Sequence, residues 1–272
     1  MAHSGLPPLE ARMLLERVLA KTRAWLIAHA DDAAGIEAEQ AFAVLAERRH
    51  QGEPIAYILG KREFYGLELG VTRAVLIPRP ETELLVELAL ERIPENAAVR
   101  VLDLGTGSGA IAVALAHARP QARVTAVDVD YAALAVARAN ASRHGVGVRF
   151  FCGDWFGALP GETFDLIVSN PPYVAAGDPH LAMGDVRFEP QRALLGGADG
   201  LDCIRAIIAS AVAHLRPGAW LLFEHGYDQA EACRALLEAH GYREVQSWPD
   251  LAGIPRVSGG VVAPVDGGND LE

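Results

Sequence analysis

The stretch "VLDLGTGSGAIAVALA" (residues 101–116) decides the fold of this chain. A short apolar run ends at Leu104, glycines follow at positions 105, 107 and 109, and an alanine-rich run typical of a helix comes next. Glycine allows the backbone to turn sharply and a ligand to lie against it. Such a ligand meets the positive end of the helix that follows. The stretch therefore predicts a buried strand, a ligand-binding turn and a helix.

Apolar runs and helical stretches alternate from residue 99 to residue 248. Near-continuous apolar strands separated by helices indicate a parallel sheet that is covered on both faces. We therefore predict an α/β fold with a doubly wound, Rossmann-like sheet. The runs that predict strands are residues 99–104, 123–128, 148–152, 164–169, 219–224 and 243–248.

The residues before this region have a different pattern. Apolar side chains recur at helical spacing from Pro8 to about Gly60, which predicts a small helical bundle. Two short apolar or aromatic runs then surround Gly66 and Gly70, which indicates a β-hairpin. We predict a bundle over residues 1–61, a hairpin linker over residues 62–78, an α/β domain over residues 79–272 and fraying at residues 265–272.

Composition and charge limit the classes of function. The 35 acidic residues outnumber the 24 basic ones, and the formal net charge of −11 disfavours a general nucleic-acid binder, which needs clustered Lys and Arg.

Cys152, Cys203 and Cys233 are far apart and form no metal-ligand spacing, so we interpret them as reduced core thiols of a cytoplasmic protein. The chain begins without a signal-peptide pattern, and no apolar run reaches transmembrane length.

The glycine turn fits two kinds of adenosine-containing cofactor. "GTGSGA" (105–110) satisfies the dinucleotide fingerprint, and Asp128 at the end of the next strand is placed to accept hydrogen bonds from ribose hydroxyls. Asp103, however, comes just before the glycines, where it would repel a pyrophosphate. S-adenosylmethionine instead presents a positive ammonium and a positive sulfonium. The turn therefore favours S-adenosylmethionine.

A second motif, "SNPPYV" (169–174), follows the apolar run at 164–169. The Asn170 side chain and the Pro171 carbonyl offer two acceptors, and Tyr173 offers a flat face. This set fits a planar NH2 group, whose nitrogen is a poor nucleophile because its lone pair is delocalised. Accepting both hydrogens orients the nitrogen and favours the positive charge that builds on it during attack. Asn-Pro pairs are also common in ordinary turns.

Several segments resemble known proteins. "LDLGTGSGAIA" (102–112), "GDWF" (153–156) and "NPPY" (170–173) resemble class I S-adenosylmethionine-dependent methyltransferases, and the last is shared with adenine-N6 DNA methyltransferases. "GEPIAYILGKREFYGLELGV" (52–71), "VLIPRPETELLVE" (75–87) and "DPHLAMGDVRFEPQRALLGGADGL" (178–201) resemble the PrmC/HemK family. Members of that family are protein-(glutamine-N5) methyltransferases that act on the Gly-Gly-Gln motif of peptide chain release factors.

The resemblance implies a cofactor, a fold and site residues. The cofactor is S-adenosylmethionine, and the fold is a helical bundle, a hairpin linker and a seven-stranded methyltransferase domain. Ile254 departs from the polar residue that the family leads us to expect. The implied cofactor-binding residues are Gly105, Thr106, Gly107, Ser108, Gly109, Asp128, Asp154, Trp155 and Asn170, with Trp155 beside the adenine and Asp154 at its amine. The implied substrate-binding and catalytic residues are Asn170, Pro171, Pro172 and Tyr173, with no metal.

Some residues keep two interpretations. The segment from Pro78 to Glu83 either closes the methionine end of the cofactor site or only starts a helix. Arg187 and Glu189 either bind substrate or pair within a loop. Glu224 and His225 end a strand at the active edge, and we interpret His225 as structural.

The sequence therefore predicts a cytoplasmic S-adenosylmethionine-dependent methyltransferase for the glutamine amide of release factors, with no membrane partner and no direct nucleic-acid partner. Three alternatives remain: an adenine-N6 nucleic-acid methyltransferase, a non-catalytic binding protein that uses the N-terminal bundle, and a nicotinamide oxidoreductase. The acidic charge disfavours the first. The "NPPY" motif disfavours the other two, because neither function uses it.

Overall fold

The N-terminal part of the chain is a helical bundle, as predicted. The computed structural model describes residues 4–263, so the predicted fraying of residues 265–272 lies outside the described residues. Leu14 is fully buried and packs with Ala46, Ile58 and Leu59. The helices are α1 (Pro8–Leu19), α2 (Arg23–Ala28), α3 (Ile36–His50) and α4 (Ile55–Leu59).

A hairpin follows the bundle, but it is shorter than predicted. Strands β1 (Lys61–Phe64) and β2 (Leu67–Gly70) pair antiparallel. Residues 71–79 form no strand, because Val75 and Ile77 are buried against α4 instead. The Tyr57 hydroxyl donates to the Val75 carbonyl oxygen at 2.6 Å, which fixes this segment against α4.

The α/β domain contains a seven-stranded sheet with the strand order β5-β4-β3-β6-β7-β9-β8. The first five strands in this order (β5, β4, β3, β6 and β7) pair in parallel, and β9 pairs antiparallel with both β7 and β8. The strands are β3 (Arg100–Leu104), β4 (Arg123–Asp128), β5 (Val148–Cys152), β6 (Phe164–Ser169), β7 (Leu215–Glu224), β8 (Tyr242–Pro249) and β9 (Pro255–Val262). The seven-stranded α/β fold predicted from the resemblance is confirmed.

Helices cover both faces of the sheet. Side chains alternate along each strand, so Val101 of β3 joins one apolar core and Leu102 joins the other. The helices of the domain are α5 (Glu83–Glu91), α6 (Ala110–Ala118), α7 (Tyr131–Arg143), α8 (Asp202–Ala211) and α9 (Ala230–Ala239). Among residues 4–263, no helix is long and apolar enough to cross a membrane.

Strand β9 has no counterpart among the apolar runs that predicted strands. Its sequence "PRVSGGVV" contains one proline and two adjacent glycines, which weaken a strand signal. The structure explains Gly259, because an added Cβ there would lie 2.4 Å from the Leu221 carbonyl oxygen of β7. Only glycine allows β9 to approach β7 this closely.

Replacing Gly259 by alanine should therefore destabilise the protein. We expect Gly259→Ala to lower the free energy of unfolding by about 1–3 kcal/mol, since the neighbouring atom is rigid backbone. Urea unfolding would measure the change. Gly147→Ala is the matched control, because an added Cβ at Gly147 meets no atom within 4 Å. Equal losses in the two variants would contradict the packing explanation.

Candidate active site

A cavity of about 270 Å³ lies at the carboxyl ends of β3, β4 and β6. Ligands bind at this edge in doubly wound folds. It brings together most of the residues predicted for a cofactor, although Gly109 is not among its walls. The predicted residues that line it are Gly105, Thr106, Gly107, Ser108, Asp128, Asp154, Trp155, Asn170 and Pro172.

A smaller cavity of about 200 Å³ adjoins the first. Pro171 and Tyr173 line only this second cavity, whereas Asn170 and Arg79 line both. Asn170 therefore lies where the two cavities meet. This arrangement provides separate spaces for a cofactor and for a second molecule, with the Asn170 side chain between them.

The glycine turn is shaped by close packing and by hydrogen bonds. Gly109 has a φ of 81°, and an added Cβ would lie 3.0 Å from the Ala137 Cβ of α7. This close approach fixes the start of α6 and explains why Gly109 is structural and does not line the cavity. The backbone N–H of Gly107 donates to Asp128 Oδ2 at 2.8 Å.

Asp128 is oriented by the turns on either side of it. Its Oδ2 accepts from the Gly107 N–H, and its Oδ1 accepts from the Asp130 N–H at 2.9 Å. Burial raises the pKa of the Asp128 carboxyl above its ordinary value. Each oxygen of an ionised carboxylate has a second acceptor direction. Because Asp128 lines the cavity, it can accept hydrogen bonds from the hydroxyls of a bound ribose.

Asp103 lies beneath the glycine turn and does not line the cavity, so any effect of its charge on a ligand acts through the turn and not by contact. Its Oδ2 accepts from Thr106 Oγ1 at 2.7 Å and from the Ala112 N–H at 3.2 Å. Its Oδ1 is buried and has no partner among residues 4–263. Burial raises the pKa of Asp103 to about 7. Because Asp103 does not line the cavity, it cannot accept a hydrogen bond from a ligand there; when ionised, it adds negative charge beneath the turn.

Trp155 forms a flat wall of the cavity. It adopts a left-handed backbone conformation with a φ of 45°. Its ring lies against the turn, since an added Cβ at Gly105 would be 3.6 Å from Trp155 Cζ3. A planar base can stack on such a face. Asp154, the preceding residue, also lines the cavity.

Asn170 uses the donor end of its amide within the protein. Its Nδ2 donates to Thr82 Oγ1 at 3.0 Å, and Thr82 Oγ1 donates in turn to Glu224 Oε2 at 2.6 Å. Within the described residues, no donor bonds to Asn170 Oδ1 or to the Pro171 carbonyl. The two acceptors that the sequence predicted are therefore free to bind an NH2 group.

Tyr173 is held at two points. Its hydroxyl donates to Glu224 Oε1 at 3.0 Å, and its backbone carbonyl accepts from Gln229 Nε2 at 3.1 Å. Burial raises the pKa of the Tyr173 hydroxyl and raises the pKa of Glu224 to about 7. Sequence reasoning gave Glu224 no role, because its partners lie on distant segments of the chain.

The segment from Pro78 to Glu83 both lines the first cavity and starts a helix. Pro78, Arg79 and Thr82 line the first cavity, and Pro80–Thr82 form the turn that leads into α5. Arg79 also forms an ion pair with the buried Glu189. Sequence reasoning did not predict the hydrogen bond between Asn170 and Thr82, although the "IPRPETE" resemblance pointed to this segment.

Arg187 and Glu189 have different partners. Glu189 Oε2 accepts from the Ile77 N–H at 3.1 Å, so this carboxylate ties its loop to residues 71–79. Arg187 Nη2 donates to the Gln51 carbonyl oxygen at 2.9 Å, which ties the same loop to the bundle. Both residues therefore have structural contacts across the chain.

The prediction that all three cysteines are core thiols was wrong for two of them. Cys233 is buried in the core, but Cys152 and Cys203 are only partly buried. Cys203 lines the first cavity, because the start of α8 lies beside it.

His225 is fully buried, and its two ring nitrogens contact Gly226 and Ser258 at 2.8 Å, which agrees with a structural role.

The buried Asp103 makes stability depend on pH. Its pKa in the folded protein lies above the ordinary value, so stability present at low pH is lost as the pH rises toward 7. We expect Asp103→Asn to remove this loss. Between pH 4 and 8, the wild type should lose on the order of 2–4 kcal/mol relative to Asp103→Asn. Urea unfolding at several pH values would test this, with exposed Asp31→Asn as control. Parallel pH profiles of the wild type and Asp103→Asn would exclude the effect.

Comparisons with known proteins match both parts of the chain. A model described as "Methyltransferase small domain" matches residues 82–195, and one described as "PrmC N-terminal domain" matches residues 1–60. A curated release factor glutamine methyltransferase from Bordetella pertussis is 58% identical over 261 residues, covering 96% of this chain and 97% of that protein. Another from Xylella fastidiosa (strain Temecula1) is 52% identical and covers 93% of this chain and 92% of that protein.

A solved structure agrees with the fold. The Thermus thermophilus 16S rRNA N2 G1207 methyltransferase, in complex with AdoMet and guanosine, matches with a TM-score of 0.54 and 25% identity. The match covers 74% of this chain and 49% of that one. The α/β domain described above thus has the architecture of an S-adenosylmethionine-dependent methyltransferase.

Proposed function

This chain belongs to the release factor glutamine methyltransferase family, and we propose that it methylates the side-chain amide nitrogen (N5) of the glutamine in the Gly-Gly-Gln motif of peptide chain release factors. The methyl donor is S-adenosylmethionine. One observation carries the proposal: the free Asn170 carbonyl lies where two cavities meet, beside a second free acceptor on Pro171. This pair of acceptors matches the two N–H donors of a planar amide.

The first cavity fits the cofactor. S-adenosylmethionine supplies an electrophilic methyl group on a positively charged sulfur when bound. Asp128 accepts the ribose hydroxyls, Trp155 packs on the adenine and Asp154 accepts from the adenine amine. When ionised, the buried Asp103 carboxylate adds negative charge beneath the turn, which favours a cationic ligand above it. The turn itself consists of Gly105, Thr106, Gly107, Ser108 and Gly109.

The second cavity receives the substrate glutamine. Asn170 Oδ1 accepts one hydrogen of its amide, and the Pro171 carbonyl accepts the other. Tyr173 forms a wall of this cavity beside the amide, and Pro172 lines the first cavity on the cofactor side of Asn170. Holding both hydrogens stabilises the positive charge that develops on the nitrogen as it attacks, and the proton leaves afterwards. No general base is required before the transfer.

The bundle of residues 1–61 recognises the release factor. It also contacts the loop that contains Asp185. Among residues 4–61, none lines either cavity. Arg49 connects the two regions, since it pairs with Glu10 at 2.8 Å and with Asp185 at 3.1 Å. Asp185 belongs to the loop whose Leu181 and Val186 line the second cavity. The linker is residues 62–78, and the catalytic domain is residues 79–272.

The cytoplasmic location and the absence of a direct nucleic-acid partner stay predictions. One experiment addresses the substrate directly. Purified release factor is incubated with the enzyme and labelled S-adenosylmethionine, and the modified residue is identified by peptide mass mapping. Label on the glutamine of the Gly-Gly-Gln motif supports the proposal. In a parallel reaction with added DNA or RNA, label on the nucleic acid and none on release factor would support the adenine-N6 alternative instead.

Removing the Asn170 amide should slow the reaction much more than it weakens cofactor binding. We expect Asn170→Ala to lower the single-turnover rate on release factor on the order of 10²–10³-fold, because one oriented partner of the developing charge is lost. Calorimetry with S-adenosylhomocysteine should give a much smaller loss of affinity. A wild-type rate in this variant would reduce the motif to an ordinary turn.

Breaking the Arg49 contacts should affect a folded substrate more than a short peptide. We expect Arg49→Ala to lower kcat/KM on whole release factor about fivefold, the equivalent of roughly 1 kcal/mol for a partly buried ion pair. Activity on a short Gly-Gly-Gln peptide should stay within about twofold of the wild type. Exposed Arg23→Ala is the control within the same bundle. Equal losses on both substrates would show that Arg49 does not serve recognition.

A further inference from the structure

The two ends of an asparagine amide have nearly the same shape but opposite hydrogen-bonding character. The carbonyl end accepts and the NH2 end donates. The proposed reaction requires the carbonyl end of Asn170 to face the substrate, because an NH2 end would meet the amide hydrogens donor to donor. Shape alone does not fix this choice, so a partner of defined polarity has to fix it.

Thr82 supplies that polarity. A hydroxyl has one hydrogen to give, and Thr82 Oγ1 lies 2.6 Å from Glu224 Oε2. An ionised carboxylate only accepts, so the hydrogen of Thr82 is committed to Glu224. The remaining lone pairs of Thr82 Oγ1 can only accept, and the group 3.0 Å away on Asn170 is therefore the NH2 end.

We propose that Glu224 is a positioning residue that, through Thr82, sets which end of the Asn170 amide faces the substrate. The inference rests on the function proposed above. Glu224 touches neither the cofactor nor the substrate in this assignment. Its second oxygen accepts from the Tyr173 hydroxyl at 3.0 Å, so the same carboxylate also holds the flat wall of the substrate cavity.

The three residues come from separate elements. Thr82 lies in the turn before α5, Asn170 follows β6, and Glu224 ends β7. Glu224 is 1% exposed, so water does not compete for its oxygens. The chain of contacts is buried at both Thr82 and Glu224, and a buried network in which every group is paired is rigid. This rigidity suits a device that fixes one of two amide orientations.

Protonation of Glu224 would release the orientation. A protonated Glu224 can donate to Thr82, which frees the Thr82 hydrogen to bond the Asn170 carbonyl and so favours the reversed amide. Burial is the main cause that raises the pKa of Glu224 to about 7, Glu81 raises it further, and Thr82, Tyr173 and Arg256 lower it. Ionised Glu224, present above this pH, is the form that holds the carbonyl toward the substrate.

The test compares Thr82→Val with Thr82→Ser. Valine keeps the shape of threonine and removes the hydroxyl, whereas serine keeps the hydroxyl. We expect Thr82→Val to lower the single-turnover rate on release factor about 10- to 100-fold, and Thr82→Ser to retain most of the rate. Thr125→Val, at a buried threonine of β4, is the matched control and should leave the rate unchanged.

A double variant separates positioning from structural support. If Thr82 acts through Asn170, adding Thr82→Val to Asn170→Ala should cause no further loss of rate, because there is no amide left to orient. If Thr82 only supports the fold, the two losses multiply, and this result would overturn the proposal. A wild-type rate in Thr82→Val would also overturn it.

Two further measurements extend the test: a binding measurement that needs no methyl transfer, and a pH profile of the rate. Binding of release factor to the enzyme saturated with S-adenosylhomocysteine should weaken in Thr82→Val, with less change in S-adenosylhomocysteine affinity. The wild-type rate should rise with pH around 7, and Glu224→Gln should lack this rise. A rise that persists in Glu224→Gln contradicts the assignment. Failure of the wild type to methylate release factor would instead overturn the proposed function.

Discussion

The parallel pairing of β3 with both of its neighbours is the constraint on which the site depends. Leu104 pairs in register with Val127 of β4 on one side and with Ser169 of β6 on the other. The Ser169 hydroxyl adds a hydrogen bond to the Leu104 carbonyl at 2.8 Å. The glycine turn and the asparagine motif follow these strand ends directly, so the register of the sheet sets the distance between cofactor and substrate.

Much of this arrangement was predictable from the sequence, because it is local. Strands β4, β5 and β6 have the predicted bounds, and the acceptors of Asn170 and Pro171 follow from their residue types. The contacts of Thr82 and Glu224 were not predictable. They depend on the order of β6 and β7 in the sheet and on the packing of α5, which are non-local properties. Sequence reasoning therefore found what Asn170 offers to the substrate and missed what orients it.

The antiparallel strands at the edge of the sheet also support the site. Glu224 pairs in register with Val257 of β9, and the next residue, His225, bonds to Ser258 of the same strand. Gly259 allows β9 to lie this close to β7. The strand that sequence patterns failed to predict thus holds the end of β7, and with it the carboxylate that contacts Thr82 and Tyr173.

The bundle affects both cavities although none of its described residues lines them. Tyr57 holds the Val75 carbonyl, and Val75 lies in the wall of the first cavity. Arg49 and the Gln51 carbonyl hold the loop that lines the second. A release factor bound to the bundle would therefore lie next to helices that contact the walls of both cavities. Recognition of the folded protein and placement of its glutamine can therefore be coupled through these contacts.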